Sequence, residues 1–229
     1  MPIALTLLGR AGKMGKRVLH LAENDPDFSM ATAVATCDVA IDFTAPEATL
    51  SHLEVAMNAK KPVVIGTTGH LLHAEHAIAE ASRTIPILFS PNFSFGIALC
   101  LEAVAQFGKR LFGRCTIDIL EVHHEKKKDR PSGTALALAH AVGNGKPVLA
   151  QNSRQPRSDE QIIIHSIRAG ETIGEHTILF EMGHERIELK HTAHSRDAFA
   201  KGALMGAKFL AKQPPGLYTL KDLFTDFSH

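Results

Sequence analysis

The stretch from Glu121 to Thr134 concentrates side chains that can transfer protons and hold an anion. It reads Glu-Val-His-His-Glu-Lys-Lys-Lys-Asp-Arg-Pro-Ser-Gly-Thr and lies between a strand-like run, Cys115 to Val122, and an Ala/Leu-rich helical run, Ala135 to Val142. Histidine titrates near neutrality and a lysine among other cations loses proton affinity, so these groups can serve as proton donor and electrostatic anchor. We therefore predict that the chemistry of the protein resides here.

Two elements must position these groups. If the strand continues, Glu121 and His123 share a face and His124 points the other way, because side chains alternate along a strand. Ser132-Gly133-Thr134 stands at a predicted helix start, where N–H groups, hydroxyls and the helix dipole attract a carboxylate or phosphate. Three consecutive lysines alone are typical of a solvated surface, but the neighbours of Lys126-Lys127-Lys128 on both sides favour a site.

Other chemistries fit the sequence less well. None of the 14 histidines forms an HExxH motif, and adjacent His123 and His124 point apart on a strand, so no metal site is expected. A Ser/His/Asp triad fits poorly because no serine lies on a GxSxG-like elbow. Cys37, Cys100 and Cys115 form no CxxC pair and lie in apolar runs, which favours buried free thiols.

Composition bounds the class of protein. A formal net charge of +1 over 229 residues gives no general field for nucleic acid or an anionic membrane. The apolar start is interrupted at Gly9-Arg10, and no run reaches the roughly 18 apolar residues of a membrane helix. The expectation is a soluble cytoplasmic protein with no nucleic-acid or membrane partner.

A glycine-rich turn opens the chain. The buried-strand pattern Ile3 to Leu8 is followed by Gly9-Arg10-Ala11-Gly12-Lys13-Met14-Gly15 and a helical pattern, Lys13 to Asn24. Glycines at such a strand-to-helix turn allow close approach of a pyrophosphate to free N–H groups. The spacing is GxxGxxG rather than GxGxxG, and a tight turn without a ligand also favours glycine.

Small polar residues also follow later predicted strands. Pro62 to Ile65 ends in Gly66-Thr67-Thr68-Gly69, and Pro86 to Phe89 ends in Ser90-Pro91-Asn92-Phe93. A capping box at Thr44-Ala45-Pro46-Glu47 predicts a helix to about Ala59. The carboxyl ends of parallel strands are where ligands bind in open α/β sheets, so these ends predict one binding site.

The second strand is less regular. Met30 to Ala35 is predicted as a strand, and Val39 to Phe43 follows with almost no room for a helix. An acidic residue about 20 positions after the glycines would contact the adenosine ribose, but only Thr36, Cys37 and Asp38 are available. The sequence therefore does not distinguish NAD from NADP.

The pattern changes after a predicted amphipathic helix, Gly96 to Phe112. Strand-like runs then dominate, with a loop at Gly143 to Asp159 and a hairpin turn at Met182-Gly183-His184-Glu185. The predicted runs are Cys115–Val122, Gln161–Arg168, His176–Glu181 and Arg186–His191. Few helices are present to cover this sheet, so pairing with another subunit is expected. Ser195 is predicted to cap a last helix that reaches Ala211.

Several motifs together resemble the dihydrodipicolinate reductase family over nearly the whole chain. The most diagnostic is Glu121-x-His123-His124-x4-Asp129-x-Pro131-Ser132-Gly133-Thr134-Ala135. The others are the glycine turn, Asp42-Phe43-Thr44-Ala45-Pro46, Gly66-Thr67-Thr68-Gly69, Pro91-Asn92-Phe93-Ser94-Phe95-Gly96, Arg168-Ala169-Gly170, Gly174-Glu175-His176 and Gly216-Leu217-Tyr218.

The resemblance implies an NAD(P)H-dependent reduction of a cyclic imine dicarboxylate in diaminopimelate and lysine biosynthesis. It makes His123 the acid/base and Lys127 the proton donor. His124, Lys127, Ser132, Gly133 and Thr134 would hold a substrate carboxylate. NADH or NADPH would lie along Gly9, Arg10, Ala11, Gly12, Lys13, Met14, Gly66, Thr67, Thr68, Ser90, Pro91, Asn92 and Phe93. The family is typically a homotetramer.

The expected fold is α/β, with a Rossmann-like dinucleotide-binding domain (1–94 and 205–229) and a mixed α+β substrate-binding and oligomerisation domain (95–204). Relative to the family, the region between Met30 and Asp38 is shortened by about one helix, or some 10–12 residues. A semialdehyde dehydrogenase, which needs a cysteine nucleophile, and a dinucleotide sensor without turnover are the alternatives.

Overall fold

The computed structural model describes residues 1–67, 72–143, 145–150, 157–158 and 160–225, and the chain forms two compact units. Unit 1 comprises Met1–Phe95 and the chain from Arg196 onward, and unit 2 comprises Gly96–Ser195. The domain limit expected at residues 204/205 falls inside a helix, Asp197–Leu210. That helix belongs wholly to unit 1 because its alanines, glycines and leucines are buried there.

Unit 1 is built on a parallel six-stranded sheet of order β11-β5-β4-β3-β1-β2. Its strands are β1 (Ile3–Leu8), β2 (Phe28–Met30), β3 (Val39–Asp42), β4 (Val63–Ile65), β5 (Pro86–Phe89) and β11 (Gly216–Tyr218). Its helices are α1 (Lys13–Glu23), α2 (Pro46–Ala59), α3 (Leu72–Ala81), α6 (Asp197–Leu210) and α7 (Asp222–Thr225). Every residue of β3 and β4 is buried, and all except Asp42 are apolar, as is typical of a sheet covered on both faces. The Rossmann-like α/β architecture is confirmed.

The segment that connects β2 to β3 is not the strand predicted from Met30 to Ala35. The strand ends at Met30, and a 3-10 turn over Val34–Thr36 follows. Alanine has weak strand preference, and Val34 is buried in the core instead of pairing along the sheet edge. The Thr6 hydroxyl, which donates to the Ala33 carbonyl at 3.0 Å, ties this segment to β1.

The start of α2 also differs from the prediction. Ala45, not Thr44, is the N-cap, and no side chain caps the helix. The Thr44 hydroxyl donates instead to Asp42 Oδ1 at 2.6 Å. Thr44 lies one residue too early to cap because Pro46 already opens the helix, so the predicted capping box is wrong.

The glycine turn joins β1 to α1 by close backbone packing. Gly9 has φ +85°, a conformation that favours glycine. A Cβ on Gly15 would lie 2.0 Å from the Gly9 carbonyl oxygen, so no side chain fits where α1 crosses the turn. These two contacts explain the glycines at the first and last positions of the motif.

Unit 2 contains a mixed five-stranded sheet of order β10-β9-β6-β8-β7. Its elements are α4 (Phe95–Leu111), β6 (Thr116–His123), α5 (Gly133–Val142), β7 (Lys146–Leu149), β8 (Gln161–Arg168), β9 (Gly174–Glu181) and β10 (Arg186–Ala193). Strand β7 lies within the segment predicted as a loop, where its short Lys-Pro-Val-Leu sequence pairs with β8 only as an edge strand. The hairpin turn at residues 182–185 is confirmed by the Met182 N–H bond to the Glu185 carbonyl.

One face of this second sheet packs against α4 and α5. Val104 of α4 and Leu138 of α5 are buried with Ile119 and Phe180 of the sheet. The opposite face carries half-buried Leu120 and Leu179, and Ile167 is 46% exposed. Across the ranges that the structure describes, no helix combines the length and apolarity needed to span a bilayer.

Candidate active site

The end of β6 places two of the predicted groups side by side. Glu121 is fully buried and His123 is 7% exposed, and His123 Nδ1 forms a short hydrogen bond with Glu121 Oε2. The two residues lie two positions apart on one strand and therefore face the same side. The predicted alternation of Glu121 and His123 is confirmed.

Glu121 is the acceptor for three elements of unit 2. Its Oε1 accepts from Arg168 Nη2 at 2.8 Å and from the Ser132 backbone N–H at 3.3 Å. Burial raises the pKa of Glu121, but the hydrogen bonds from His123 and Arg168 outweigh it and lower the pKa to about 2. The carboxylate is therefore ionised at neutral pH, and His123 donates to it through Nδ1–H.

Ser132 begins α5, as the sequence predicts. It is 2% exposed, and its Oγ accepts from the Ala135 backbone N–H at 3.2 Å and lies 3.0 Å from His176 Nε2. Gly133 is exposed and Thr134 is half-buried beside it. The start of α5 therefore combines the positive end of a helix dipole with an exposed Gly133, which favours an anion.

The loop between β6 and α5 carries the predicted lysine. Lys127 Nζ lies 2.8 Å from the Asp129 carboxylate, and the Lys127 backbone N–H donates to the His124 carbonyl at 3.1 Å. The Lys127 side chain is 22% exposed, whereas that of Lys126 is 84% exposed. Among the residues with described positions, His124 Nδ1 is buried without a hydrogen-bond partner.

The predicted cofactor residues of unit 1 follow the carboxyl ends of three strands of its sheet. Residues 9–12 follow β1, residues 66–67 follow β4, and residues 90–93 follow β5, while residues 13–14 open α1. Phe43, which follows β3, contacts the turns after β4 and β5. A Cβ on Gly66 would lie 2.2 Å from the Phe43 ring, and the Phe43 and Phe93 ring centroids are 5.8 Å apart. Thr68 lies outside the described residues.

The turn after β1 fits a dinucleotide. Gly12 is the N-cap of α1 and supplies no side-chain cap, and the first turn of the helix contains no acidic residue. Residues 10–13 are exposed. The first N–H groups of α1 and the positive end of its dipole can therefore hold a pyrophosphate.

Asp42 is a buried carboxylate that the motifs contain but the sequence reasoning left without a role. It accepts from the Thr44 N–H at 2.8 Å and from His52 Nδ1 at 3.0 Å, and the Thr67 hydroxyl lies 3.3 Å away. These bonds join the end of β3 to α2 and to the turn after β4. Asp42 therefore fixes the polar edge of the sheet.

Asp38 is not placed to contact a ribose. It precedes β3, and its Oδ2 accepts from the Ala4 N–H at 2.8 Å near the start of β1. Ligands of such sheets bind at the opposite, carboxyl ends of the strands. At the end of β2 the chain offers Ala31 and exposed Thr32 instead of an acid.

The sequence did not predict that Arg168 and His176 lie next to Glu121. Both lie in segments that the sequence analysis singled out, but their position depends on strand register: His176 pairs with Glu121, and Arg168 pairs with His123. Spacing along the chain contains no signal for this register. The sequence indicated only that His176–Glu181 is a strand-like run.

The side chains of Glu121, His123 and His176 have potential ligand atoms within 4.8 Å of one another. The missing HExxH spacing did not predict this cluster, because strand pairing brings its residues together. However, both oxygens of Glu121 already accept hydrogen bonds, one of them from the Arg168 cation. Glu121 and His123 therefore belong to a hydrogen-bonded network in which Arg168 is the counter-ion.

A parallel sheet with a glycine turn after β1 and polar residues at neighbouring strand ends defines a Rossmann-type dinucleotide-binding protein. A family model described as "Dihydrodipicolinate reductase, N-terminus" matches residues 29–93, and one described as "Dihydrodipicolinate reductase, C-terminus" matches residues 96–224. The chain belongs to the dihydrodipicolinate reductase family.

Relatives agree along nearly their full length. The 4-hydroxy-tetrahydrodipicolinate reductase of Sulfurimonas denitrificans is 38% identical, over 93% of this chain and 94% of the relative. The enzyme of that name from Methanopyrus kandleri is 37% identical, over 96% of each chain. That of Wolinella succinogenes is 40% identical, over 94% of this chain and 96% of the relative.

Solved structures share the fold. A dipicolinate-bound dihydrodipicolinate reductase from a Paenisporosarcina species is 23% identical, with a TM-score of 0.78 over 97% of this chain and 99% of the other. Aspartate semialdehyde dehydrogenase II from Vibrio cholerae is 12% identical, with a TM-score of 0.56 over 93% and 99%. At these identities the likeness concerns the fold.

Breaking the buried Arg168–Glu121 pair is expected to destabilise the protein strongly, because one charge is left unpaired. Replacing Arg168 with Met leaves the Glu121 carboxylate without its cation, which we expect to lower the free energy of unfolding by about 3 kcal/mol. Arg186→Met is the matched control, because Arg186 pairs with Glu181 and Glu188 on the exposed surface. Denaturant unfolding measures both, and equal effects would contradict the buried-charge argument.

The same pair predicts a pH dependence. The pKa of Glu121 is depressed from 4.5 to about 2, so its contribution to stability is complete above about pH 4.5 and is lost as pH falls towards 2. Unfolding measured along this range should therefore show a loss of stability that Glu121→Gln reduces.

Proposed function

We propose that this chain is an NAD(P)H-dependent reductase that converts (hydroxy-)dihydrodipicolinate to tetrahydrodipicolinate in diaminopimelate and lysine biosynthesis. The observation that carries the proposal is the buried network at the end of β6. It places an ionised Glu121 behind His123 and the start of α5 beside both, in a chain of the dihydrodipicolinate reductase family. The relatives of that name match over nearly the whole chain.

The loop and the start of α5 would bind a substrate carboxylate. Ser132, Gly133 and Thr134 offer hydroxyls and backbone N–H groups, and the dipole of α5 adds positive potential. His124 and Lys127 would complete the contacts, because both lie in the short loop that leads into this helix. Lys127 carries a charge suited to a carboxylate and is only partly exposed.

His123 is proposed as the acid/base and Lys127 as the proton donor. Glu121 accepts from His123 Nδ1, so Nε2 is the ring atom that exchanges a proton. Gly174 leaves space at this atom, since a Cβ there would lie 3.1 Å from His123 Nε2. Bound NADH or NADPH supplies the hydride, and these residues supply the proton.

The dinucleotide would be held by the turns at the carboxyl edge of the sheet of unit 1. These residues are Gly9, Arg10, Ala11, Gly12, Lys13, Met14, Gly66, Thr67, Thr68, Ser90, Pro91, Asn92 and Phe93. The turn after β1 supports this because its N–H groups carry no side-chain cap. The end of β2 offers Ala31 and Thr32 instead of an acid, and Asp38 bonds to the start of β1, so none of these residues distinguishes the two cofactors.

A semialdehyde dehydrogenase is disfavoured by the thiols. Burial raises the pKa of Cys37, Cys100 and Cys115, whereas a nucleophilic cysteine needs a lowered pKa. A sensor without turnover would need the glycine turn but not the buried His123–Glu121 pair. Both alternatives are therefore weaker than the reductase.

A coupled assay tests the function. The synthase of the preceding step generates the substrate from pyruvate and aspartate semialdehyde, and oxidation of NADH and of NADPH is followed in parallel. We expect oxidation that depends on the substrate. The rates with NADH and with NADPH should differ by less than about tenfold, because a charged residue that bonds to the ribose would be needed for more: such a bond is worth about 1.5–3 kcal/mol. No oxidation with either cofactor by the folded protein would reject the proposal.

Replacing Lys127 with Ala should lower kcat by about 10²- to 10⁴-fold, the usual contribution of a positioned proton donor, while the affinity for NAD(P)H stays unchanged. Lys126→Ala is the matched control, because it removes the same charge from the exposed neighbouring position. The same assay measures both variants. Unchanged turnover in Lys127→Ala would reject the catalytic assignment and favour the sensor.

The second sheet supports the proposal of a homotetramer. One face is covered by α4 and α5, and the opposite face presents Leu120, Leu179 and exposed Ile167, which a second copy of the chain would cover.

The free thiols of the chain accord with the cytoplasmic location expected from the sequence.

Light scattering should give the mass of four chains, and Ile167→Glu should yield smaller species because it places a charge in the apolar contact. The matched control is Leu217→Glu on β11 of unit 1, because Leu217 is 48% exposed and Ile167 is 46% exposed. A monomeric unsubstituted protein, or a tetramer that survives Ile167→Glu, would contradict the assignment of this face.

A further inference from the structure

Ser132 is held from three sides before any ligand binds. Its backbone N–H donates to Glu121, and its Oγ accepts from the Ala135 N–H. The same Oγ lies 3.0 Å from Nε2 of His176. A hydroxyl has one proton to donate and two lone pairs to accept with, so the direction of the third bond determines what Ser132 can offer a ligand.

His176 lies on β9 and is 5% exposed. Its charged and titratable neighbours are Glu121 and His123 on β6, His191 on β10 and Lys127 in the loop. Burial, followed by repulsion from His123, lowers the pKa of His176 to about 3. The ring is therefore neutral at pH 7, and one of its two nitrogens carries the proton.

The hydrogen-bond partners identify that nitrogen. Within the ranges that the structure describes, His176 Nδ1 is buried without a partner, whereas Nε2 faces Ser132 Oγ. A buried N–H group without an acceptor is costly and rare in native proteins. The proton therefore resides on Nε2, which donates to Ser132.

Both lone pairs of the Ser132 oxygen are then occupied, one by the Ala135 N–H and one by His176. The hydroxyl proton points away from both, so Ser132 is available as a donor. With the other tautomer, Ser132 would donate to His176 and would have no proton left for a ligand. The histidine therefore determines whether this serine can hold an anion.

We propose that His176 is a positioning residue: it donates to Ser132 Oγ and so commits the Ser132 hydroxyl to donate to a carboxylate of the substrate. The proposal deepens the reductase function and rests on it, because it takes a dicarboxylate as the ligand. His176 acts through Ser132 and is not itself assigned a contact with the substrate.

Two substitutions at position 176 separate this role from simple packing. His176→Gln keeps a donor near the place of Nε2, whereas His176→Leu fills the space without one. Dipicolinate serves as a dicarboxylate probe that binds without turnover, and calorimetry on the full chain measures its affinity. We expect His176→Leu to weaken dipicolinate binding by about tenfold or more, the effect of one hydrogen bond to a charged group, and His176→Gln by less than about threefold.

In the coupled assay, His176→Leu should raise the KM for the dicarboxylate substrate more than it lowers kcat. The KM for NAD(P)H should not change in either variant. A loss that appears equally in both variants, or in kcat alone, would overturn the positioning role.

A double substitution tests whether the effect passes through Ser132. In a Ser132→Ala background, His176→Leu should cause little further loss of dipicolinate affinity, because the hydroxyl it directs is absent. Ser132→Ala also removes a helix cap, so its unfolding is measured as well, and Ser132→Gly replaces it if the chain does not fold. Additive losses would overturn the proposal.

The results distinguish a failure of the reductase function from a failure of the His176 role. If the unsubstituted chain neither binds dipicolinate nor oxidises NAD(P)H with substrate, the reductase function and the role of His176 both fail. If it does both while His176→Leu matches His176→Gln, only the role of His176 fails.

Discussion

An ionised carboxylate buried at the end of β6 is the constraint on which the candidate site depends. Removing a charge from water is costly unless the charge is paired and hydrogen-bonded, and Glu121 meets this condition through Arg168, His123 and the start of α5. Each of these donors is in turn fixed in place. Protonating or removing the carboxylate would release all of them together, so one interaction orients groups that belong to three different elements.

The two units offer different chemical groups to a ligand. Unit 1 presents backbone N–H groups and small side chains at strand ends, and the buried carboxylate of Asp42 holds those ends together. Such a surface suits the parts that NADH and NADPH share. Unit 2 presents charged and titratable side chains from a loop and a helix start. Selectivity for the substrate is therefore expected to reside in unit 2, and selectivity between the cofactors is expected to be weak.

Local patterns predicted most of the elements, whereas the contacts that depend on strand register were missed. Alternation placed Glu121 beside His123, and Ser132 was recognised as a helix start, because both depend only on neighbouring residues. The pairing of His176 with Glu121 depends on how β9 aligns with β6, which no spacing in the chain records. The second strand ends earlier than predicted, because the alanines at positions 31, 33 and 35 have weak strand preference and Val34 is buried in the core instead. The capping box failed by one residue because Pro46 set the start of α2.

The chain leaves unit 1 at Phe95 and returns to it only at Arg196. During synthesis, all of unit 2 therefore emerges before α6 and β11 become available to the sheet of unit 1. Until then the edge of β5 that pairs with β11 stays open, and the core positions that α6 covers stay exposed. Although its first strand is made first, unit 1 is the last part of the protein to complete its fold. This interval is where an incomplete chain is most exposed to aggregation.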